Sequence, residues 1–426
     1  MTIDANVRAF APKNVEITEP AASGKSMVRH HEAIPVVRNS KNRPMWCAAT
    51  AIALFEHHPD WQGCLRHDAF LRRDMLYRPL PGTDTADGFE IREITETDIV
   101  LAQVWCNRNG FPNAVQGTIA DAFHTVAADY SIDPLKDWLE GLEWDGQPRL
   151  SSWLTRYLGV EESIYAAEVG PRWMISAVAR ALQPGCKADG CLILEGKQGS
   201  GKSTVLRILA GSAFFADSLP DLSSKDAAQF LRGKWIIELA ELSSLSRSSV
   251  EATKAFISRQ EERYRPPYGR TEVTELRRCV FAGTTNRDDY LRDPTGNRRF
   301  WPVMTGEFDL EAIERDRDQL WAEAMHAYKA GEPWWLTGQV AEIAAQEQAE
   351  RGEDDPWVAA IRTYSDGREA VACKSILAEA LAIPAERMSQ RDSRRVSGIL
   401  RTLGYQRDGQ FTSGEEKGLA RYVRTG

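Results

Sequence analysis

Gly196-Lys-Gln-Gly-Ser-Gly-Lys-Ser203 fixes the centre of this 426-residue chain. The stretch fits the phosphate-binding P-loop pattern, and its flanks agree with it. Leu192-Ile-Leu194 is a short apolar run that reads as a buried strand, and Thr204-Val-Leu-Arg-Ile-Leu-Ala210 reads as the packed start of a helix. Gly196, Gly199 and Gly201 let backbone N–H groups close round phosphate oxygens, with Gln198, Ser200 and Thr204 completing the loop. Lys202 reaches the outer phosphates of a triphosphate such as ATP, and the Ser203 hydroxyl is placed to ligate Mg²⁺.

A P-loop says that nucleotide is bound, and the later strands say what is done with it. Trp235-Ile-Ile-Glu-Leu239 reads as a strand whose end carries Glu238, with Glu241 three residues on. One carboxylate there holds the metal's water shell and the other polarises the attacking water. We expect Glu238 near Mg²⁺ through water and Glu241 as the water-orienting base, though the spacing leaves the division open. Cys279-Val-Phe-Ala282 is the next strand and leads into Gly283-Thr-Thr-Asn286, where Asn286 can bond the attacking water or the γ-phosphate. Arg298 and Arg299 follow a Gly-Asn turn and can project at a neighbouring subunit's nucleotide as a finger. Between those strands, Lys254 to Arg270 ends in a Pro-Pro-Tyr-Gly turn. Lys254, Arg259, Arg263, Tyr264, Arg265, Tyr268 and Arg270 combine cations with rings, which suits a loop that tracks a DNA strand.

Strands alternating with helices predict an α/β core, a parallel sheet covered on both faces, over residues 161–335. Residues 1–45 lack periodicity and read as a disordered lead-in, and 46–160 read as a helical domain. An acidic helical connector is expected over 336–356. The last segment, 357–426, has the outline of a winged helix, with Arg394 and Arg395 on its third helix facing DNA. A protein-docking winged helix is the alternative there.

Bulk numbers constrain the rest. The net charge of −8 hides local bias: residues 250–300 hold 11 Lys/Arg against 8 Asp/Glu, and residues 385–426 hold 9 against 5. Both favour phosphate contacts. No apolar run is long enough to span a bilayer and no secretory signal opens the chain, so a cytoplasmic location is expected. Seven scattered cysteines fit that compartment. Cys47, His57, His58, Cys64 and His67 fall close together, but without a C-x₂-C pair packed side chains are expected there rather than zinc.

Taken in order, these motifs resemble the virulence-associated E family of phage and prophage P-loop ATPases. The resemblance covers roughly residues 130–335. It rests on Pro184-Gly-Cys186, the P-loop, Glu238-Leu-Ala-Glu-Leu242, Arg263 with Pro267-Tyr-Gly-Arg270, Gly283-Thr-Thr-Asn286 and Gly296-Asn-Arg-Arg-Phe-Trp301; Trp144-Asp-Gly146 looks like the family's lead-in. The family is similar to superfamily 3 helicases and to the helicase halves of viral primase-helicases. The resemblance implies an AAA+-type core, ATP and Mg²⁺, and a homo-oligomeric ring, often a hexamer, on phage or plasmid DNA. It implies that Lys254 to Arg270 form the DNA-tracking hairpin, Asn286 the sensor and Arg298 or Arg299 the finger. A separate primase is a possible partner, since the residues ahead of the core show no metal-carboxylate set. The alternative function is an ATP-switched, DNA-binding initiator that does not unwind.

Overall fold

The computed structural model describes residues 34–83, 88–218, 220, 225–240, 247–265, 272–286, 290–291, 297–351, 357–414 and 416–425. The expected lead-in, but for its last twelve residues, lies outside them.

Helix α1 (Ala48–His57), strands β1 (Leu65–Asp68), β2 (Arg73–Leu76) and β3 (Arg92–Glu93), helices α2 (Glu96–Arg108) and α3 (Gln116–Asp129), and strand β4 (Ser131–Ile132) build the first part. Its apolar cluster includes Leu54, Phe55, Trp61, Trp105 and Phe123. Phe55 meets Trp61 and Phe123 edge-on, with centroids 4.7 and 4.8 Å away. The periodicity of residues 99–105 and 119–123 does lie on helices α2 and α3. The purely helical expectation is corrected by a four-stranded sheet of order β3-β2-β1-β4, with β4 parallel to β1 and the other pairs antiparallel. Strands of two to four residues are too short to show an alternation of period two.

The central part begins at α4 (Pro134–Glu140), with α5 (Trp153–Leu158) and α6 (Ile164–Leu182) behind it. Leu135, Trp153, Leu154 and Tyr157 belong to the same apolar cluster as the central sheet, so the helices after Pro134 pack with the core rather than with the segment before them. Next come β5 (Cys191–Glu195), α7 (Lys202–Ala210), β6 (Phe215–Ala216), α8 (Lys225–Phe230), β7 (Ile236–Leu239) and α9 (Arg247–Ile257). A hairpin of β8 (Glu261–Tyr264) and β9 (Val273–Leu276) precedes β10 (Val280–Thr285), β11 (Phe300–Met304), α10 (Leu310–Lys329) and α11 (Gly338–Glu350).

The sheet runs β11-β5-β10-β7-β6, every pair parallel. All five residues of β5 are buried. Successive side chains point to opposite faces, so both faces of the sheet are covered. Strand β11 holds Pro302 without loss because it is the edge strand, where a missing N–H is tolerated. Buried indoles tie the layers together through their N–H groups: Trp173 of α6 on Phe281 O of β10 at 2.9 Å, Trp235 beside β7 on Ala177 O of α6 at 2.9 Å, and Trp321 of α10 on Leu209 O of α7 at 3.0 Å. Helix α11 is not a solvated connector. Ala344 is buried on it, and the Gln348 amide donates to Phe300 O at 2.8 Å on the edge strand.

The C-terminal part forms its own compact unit. It comprises α12 (Trp357–Ser365), β12 (Ala370–Ala372), α13 (Cys373–Ser375) running into a π-turn to Ala380, α14 (Gln390–Thr402), β13 (Tyr405–Gln410) and β14 (Ala420–Arg424). The strands make an antiparallel sheet, β12-β14-β13, over a core of Ile361, Val371, Ile376, Val396 and Leu400. Ser389 and Asp392 cap the start of α14 reciprocally. Among the described residues no helix is long and apolar enough to cross a membrane.

Candidate functional site

The sheet order brings the C-terminal ends of β5, β10 and β7 side by side, and five side chains meet there. The loop after β5 turns through positive φ at Gly196, Gly199 and Gly201 (150°, 77° and 103°), which side-chain-bearing residues rarely adopt. Lys202, 7% exposed, opens α7 and sends its ammonium back over this loop. Nζ donates to Gly196 O (2.8 Å), Lys197 O (2.7 Å) and Asn286 Oδ1 (3.2 Å). Burial lowers the Lys202 pKa from its ordinary value, and the Glu238 charge only partly offsets this.

One helical position on, Ser203 Oγ donates to Glu238 Oε1 at 2.7 Å, and Thr284 Oγ1 donates to the same oxygen at 2.6 Å. Glu238 is 2% exposed, and its other oxygen, Oε2, is buried with no hydrogen-bond partner among the described residues. A buried carboxylate oxygen held beside an exposed hydroxyl is a hard oxygen donor set, which fits Mg²⁺. Glu241 lies outside the described residues. Thr284 escaped the sequence reading, although alternation along β10 puts it on the face of Asn286, and that signal was available.

Arg298 and Arg299 occupy the opposite end of the sheet. They form a 3₁₀ turn leading into β11, whose first residue Phe300 pairs with Cys191 at the start of β5, while Met304 pairs with Glu195 at the P-loop end. A five-residue strand separates the two ends by about 15 Å, so these arginines do not reach their own P-loop. The two differ in their surroundings. Arg299 is half-buried, donates from Nε to Ser258 Oγ at 2.6 Å and faces Asp189 at 3.8 Å. Arg298 is exposed.

The hairpin also roots at that far end, since β9 runs directly into β10. Along β8 the pattern alternates: Glu261 and Arg263 are exposed, Glu262 and Tyr264 buried. Buried Arg277 pairs with Glu262 and donates to Ile257 O, fixing the root of β8 to the end of α9. Arg263 and Arg265 are exposed on the hairpin, and Tyr268 and Arg270 lie outside the described residues.

A family-model match covers residues 139–353 and is described as the virulence-associated protein E-like domain. The chain belongs to this family. Nothing among curated proteins matches it. Among solved structures the virulence-associated protein E-like chain is similar to the apo NrS-1 C-terminal region, at 12% identity and a TM-score of 0.48, over 85% of this chain and 96% of that one. A RuvB mutant from Thermotoga maritima aligns at 16% identity and a TM-score of 0.23, over 60% of this chain and 91% of that one.

Three expectations about this virulence-associated protein E-like chain are corrected by side-chain positions. Lys254 is not on the hairpin: it lies in α9, 5% exposed, with its ammonium 5.9 Å from the Phe300 ring centre. Tyr264 is 5% exposed beneath the Arg232 guanidinium, so its ring is not open for base stacking. Arg395 stacks on Trp357 at 4.0 Å within the C-terminal unit, leaving Arg394 as the exposed member of that pair. Arg259, although exposed, pairs with Glu262 at 3.3 Å and lies over Phe256. In the first part, Cys64 is buried against Asp60 O, Cys47 donates to Thr50 and His58 accepts from Asp60 N. No group of three metal-ligating side chains occurs among the described residues.

Proposed function

We propose that the protein is an ATPase with an AAA+-type core that acts on DNA as a homo-oligomeric ring in phage or prophage replication, coupling hydrolysis to unwinding. The observation that carries this reading is the opposition of the two sheet ends. One end gathers Lys202, Ser203, Glu238, Thr284 and Asn286, and the other exposes Arg298. Head-to-tail packing of copies brings the first set of one subunit against the arginine of the next, and such a contact closes into a ring. The sheet order, with the P-loop strand between the fourth and fifth strands in chain order, supports the AAA+-type core.

In this reading Lys202 and the loop N–H groups hold the β- and γ-phosphates of ATP. Ser203 would hold Mg²⁺ directly and Glu238 through water, and that ion would supply charge neutralisation on the phosphates. Asn286, already bonded to Lys202, orients the attacking water or senses the γ-phosphate. Arg298 stabilises the transferring phosphoryl group from across the interface, a role worth about 10³–10⁵ in rate where measured. Glu241 is the candidate base. Arg263 and Arg265 on the hairpin, with Tyr268 and Arg270, contact the DNA strand, and Arg394 of the winged-helix-like C-terminal unit supplies a second phosphate contact.

Steady-state ATP hydrolysis with and without single-stranded DNA tests the reading. Turnover should rise on adding DNA and displacement of a labelled strand should require ATP. Origin binding without strand displacement would instead favour the ATP-switched initiator. Equal rates with and without DNA would sink the coupling of hydrolysis to unwinding.

A further inference from the structure

The segment ahead of the family match, residues 34–133, has no role in the reading above, yet one of its turns is built against the hairpin. Asp68, 4% exposed, accepts from the N–H groups of Phe70 (2.9 Å) and Leu71 (2.7 Å), closing the turn between β1 and β2. Arg72 follows with φ of 56°, a left-handed conformation that is uncommon for a residue with a side chain. That conformation points its guanidinium at β9. Nη1 lies 2.5 Å from Glu275 Oε2, and Nη2 donates to Leu276 O at 3.2 Å. The other Glu275 oxygen is taken by Arg232 at 2.8 Å.

The rest of the turn is fitted to the same place. Leu71 closes on the backbone at Gly233, where an added Cβ would come within 2.4 Å of the leucine side chain. Phe70 is 2% exposed between the Phe214 ring, 5.0 Å away, and the Arg278 guanidinium, 4.8 Å away. Arg278 in turn pairs with Asp133 at 2.6 Å. Burial alone would raise the Glu275 pKa, but the hydrogen bonds from Arg232 and Arg72 outweigh it and hold the carboxylate below its ordinary value.

We propose that the 68–72 turn is a clamp on the root of the hairpin, with Arg72 as a positioning residue that holds β9 through Glu275 and the Leu276 carbonyl. A two-stranded ribbon alone is marginally stable in water, and among the described residues strands β8 and β9 pair only with each other. The root of β8 is anchored from within the core by Arg277. Strand β9 has Arg232 from the core and Arg72 from outside the family region. Holding both strands lets a load on the hairpin tip reach the sheet instead of splaying the ribbon. The consequence for DNA rests on the proposed function; the clamp itself does not.

The test uses the full chain as wild type, Arg72→Ala and Arg72→Lys, with thermal melting to confirm that each is folded. Hydrogen exchange without DNA reads the clamp: amides of residues 261–264 and 273–276 should exchange about tenfold faster in Arg72→Ala, with β5 and α6 unchanged. Arg72→Lys keeps the charge but loses the two-pronged grip and should fall between. DNA-stimulated hydrolysis should drop about fivefold in Arg72→Ala, while turnover without DNA stays within about twofold of wild type. Equal hairpin exchange in Arg72→Ala and wild type would overturn the clamp. A wild type that ignores DNA would overturn the DNA reading instead, and the exchange result would still decide the clamp.

Discussion

Lys202 is buried among loop carbonyls and Glu238 holds Ser203 and Thr284, so these two residues carry the clearest substitutions. Lys202→Ala should abolish hydrolysis. Glu238→Gln should keep nucleotide binding but lower turnover by about 10²–10³, because it removes a charge from the proposed Mg²⁺ site and leaves the two hydroxyls a poorer acceptor. Filter binding beside a phosphate-release assay checks both. Arg298 and Arg299 should separate: Arg298→Ala should cost about 10³ in turnover. Arg299→Ala loses the Ser258 hydrogen bond and should act on stability, lowering it by about 1 kcal/mol in denaturant melts. Equal turnover losses in the two variants would contradict the assignment. At this scale the P-loop residues were legible because backbone geometry and ligand chemistry both constrain their spacing. Lys254 and Tyr264 were misread because a basic or aromatic side chain in sequence looks the same whether it faces solvent or Phe300 and Arg232.

Among the elements, the hairpin and the turn at Trp144-Asp-Gly146 make separate predictions. Arg263 and Arg265 are exposed on the hairpin. Replacing both by alanine should weaken single-stranded DNA binding and flatten its dependence on log salt by about 0.7 for each phosphate no longer neutralised. An unchanged slope in fluorescence titrations would remove them from the interface. At the turn, Asp145 accepts from Arg149 at 2.8 and 2.7 Å and from the Gln147 N–H, which lowers its pKa to about 2 from 3.8. Because the folded-state value is depressed, the carboxylate's contribution is present above about pH 4 and is lost as pH falls toward 2. Melts of wild type and Asp145→Asn should therefore differ at pH 6 and converge near pH 2. A difference that stays constant with pH would mean that the charge is not what matters. Element existence was legible wherever apolar runs were long, as in Trp235–Leu239 and Cys279–Ala282. Strands such as β3, β4 and β6 have two residues each, and pairing partners distant in sequence decide them.

For the whole molecule, the sequence indicated a parallel α/β core but not which helices belong to it. Leu135, Trp153 and Tyr157 have the same apolar spacing whichever cluster receives them, and only the packed structure shows them against the sheet. The same limit hid the clamp, since nothing in Arg72 or Glu275 alone, about two hundred residues apart, announces a pair. In the proposed reading the site is shared between copies, which makes assembly a condition of chemistry. Turnover per subunit should rise with protein concentration, and light scattering should show assembly under the same conditions.

The central claim, a nucleotide site completed by Arg298 from the adjoining subunit, is tested most directly by mixing two inactive variants. Lys202→Ala lacks its own phosphate grip but still offers Arg298; Arg298→Ala has the grip but offers no finger. Combined in equal amounts and allowed to exchange subunits, they form intact sites at about one quarter of the interfaces, so hydrolysis should return to about that fraction of wild type. A mixture as inactive as its components, or an Arg298→Ala protein that hydrolyses ATP at the wild-type rate by itself, would contradict the claim.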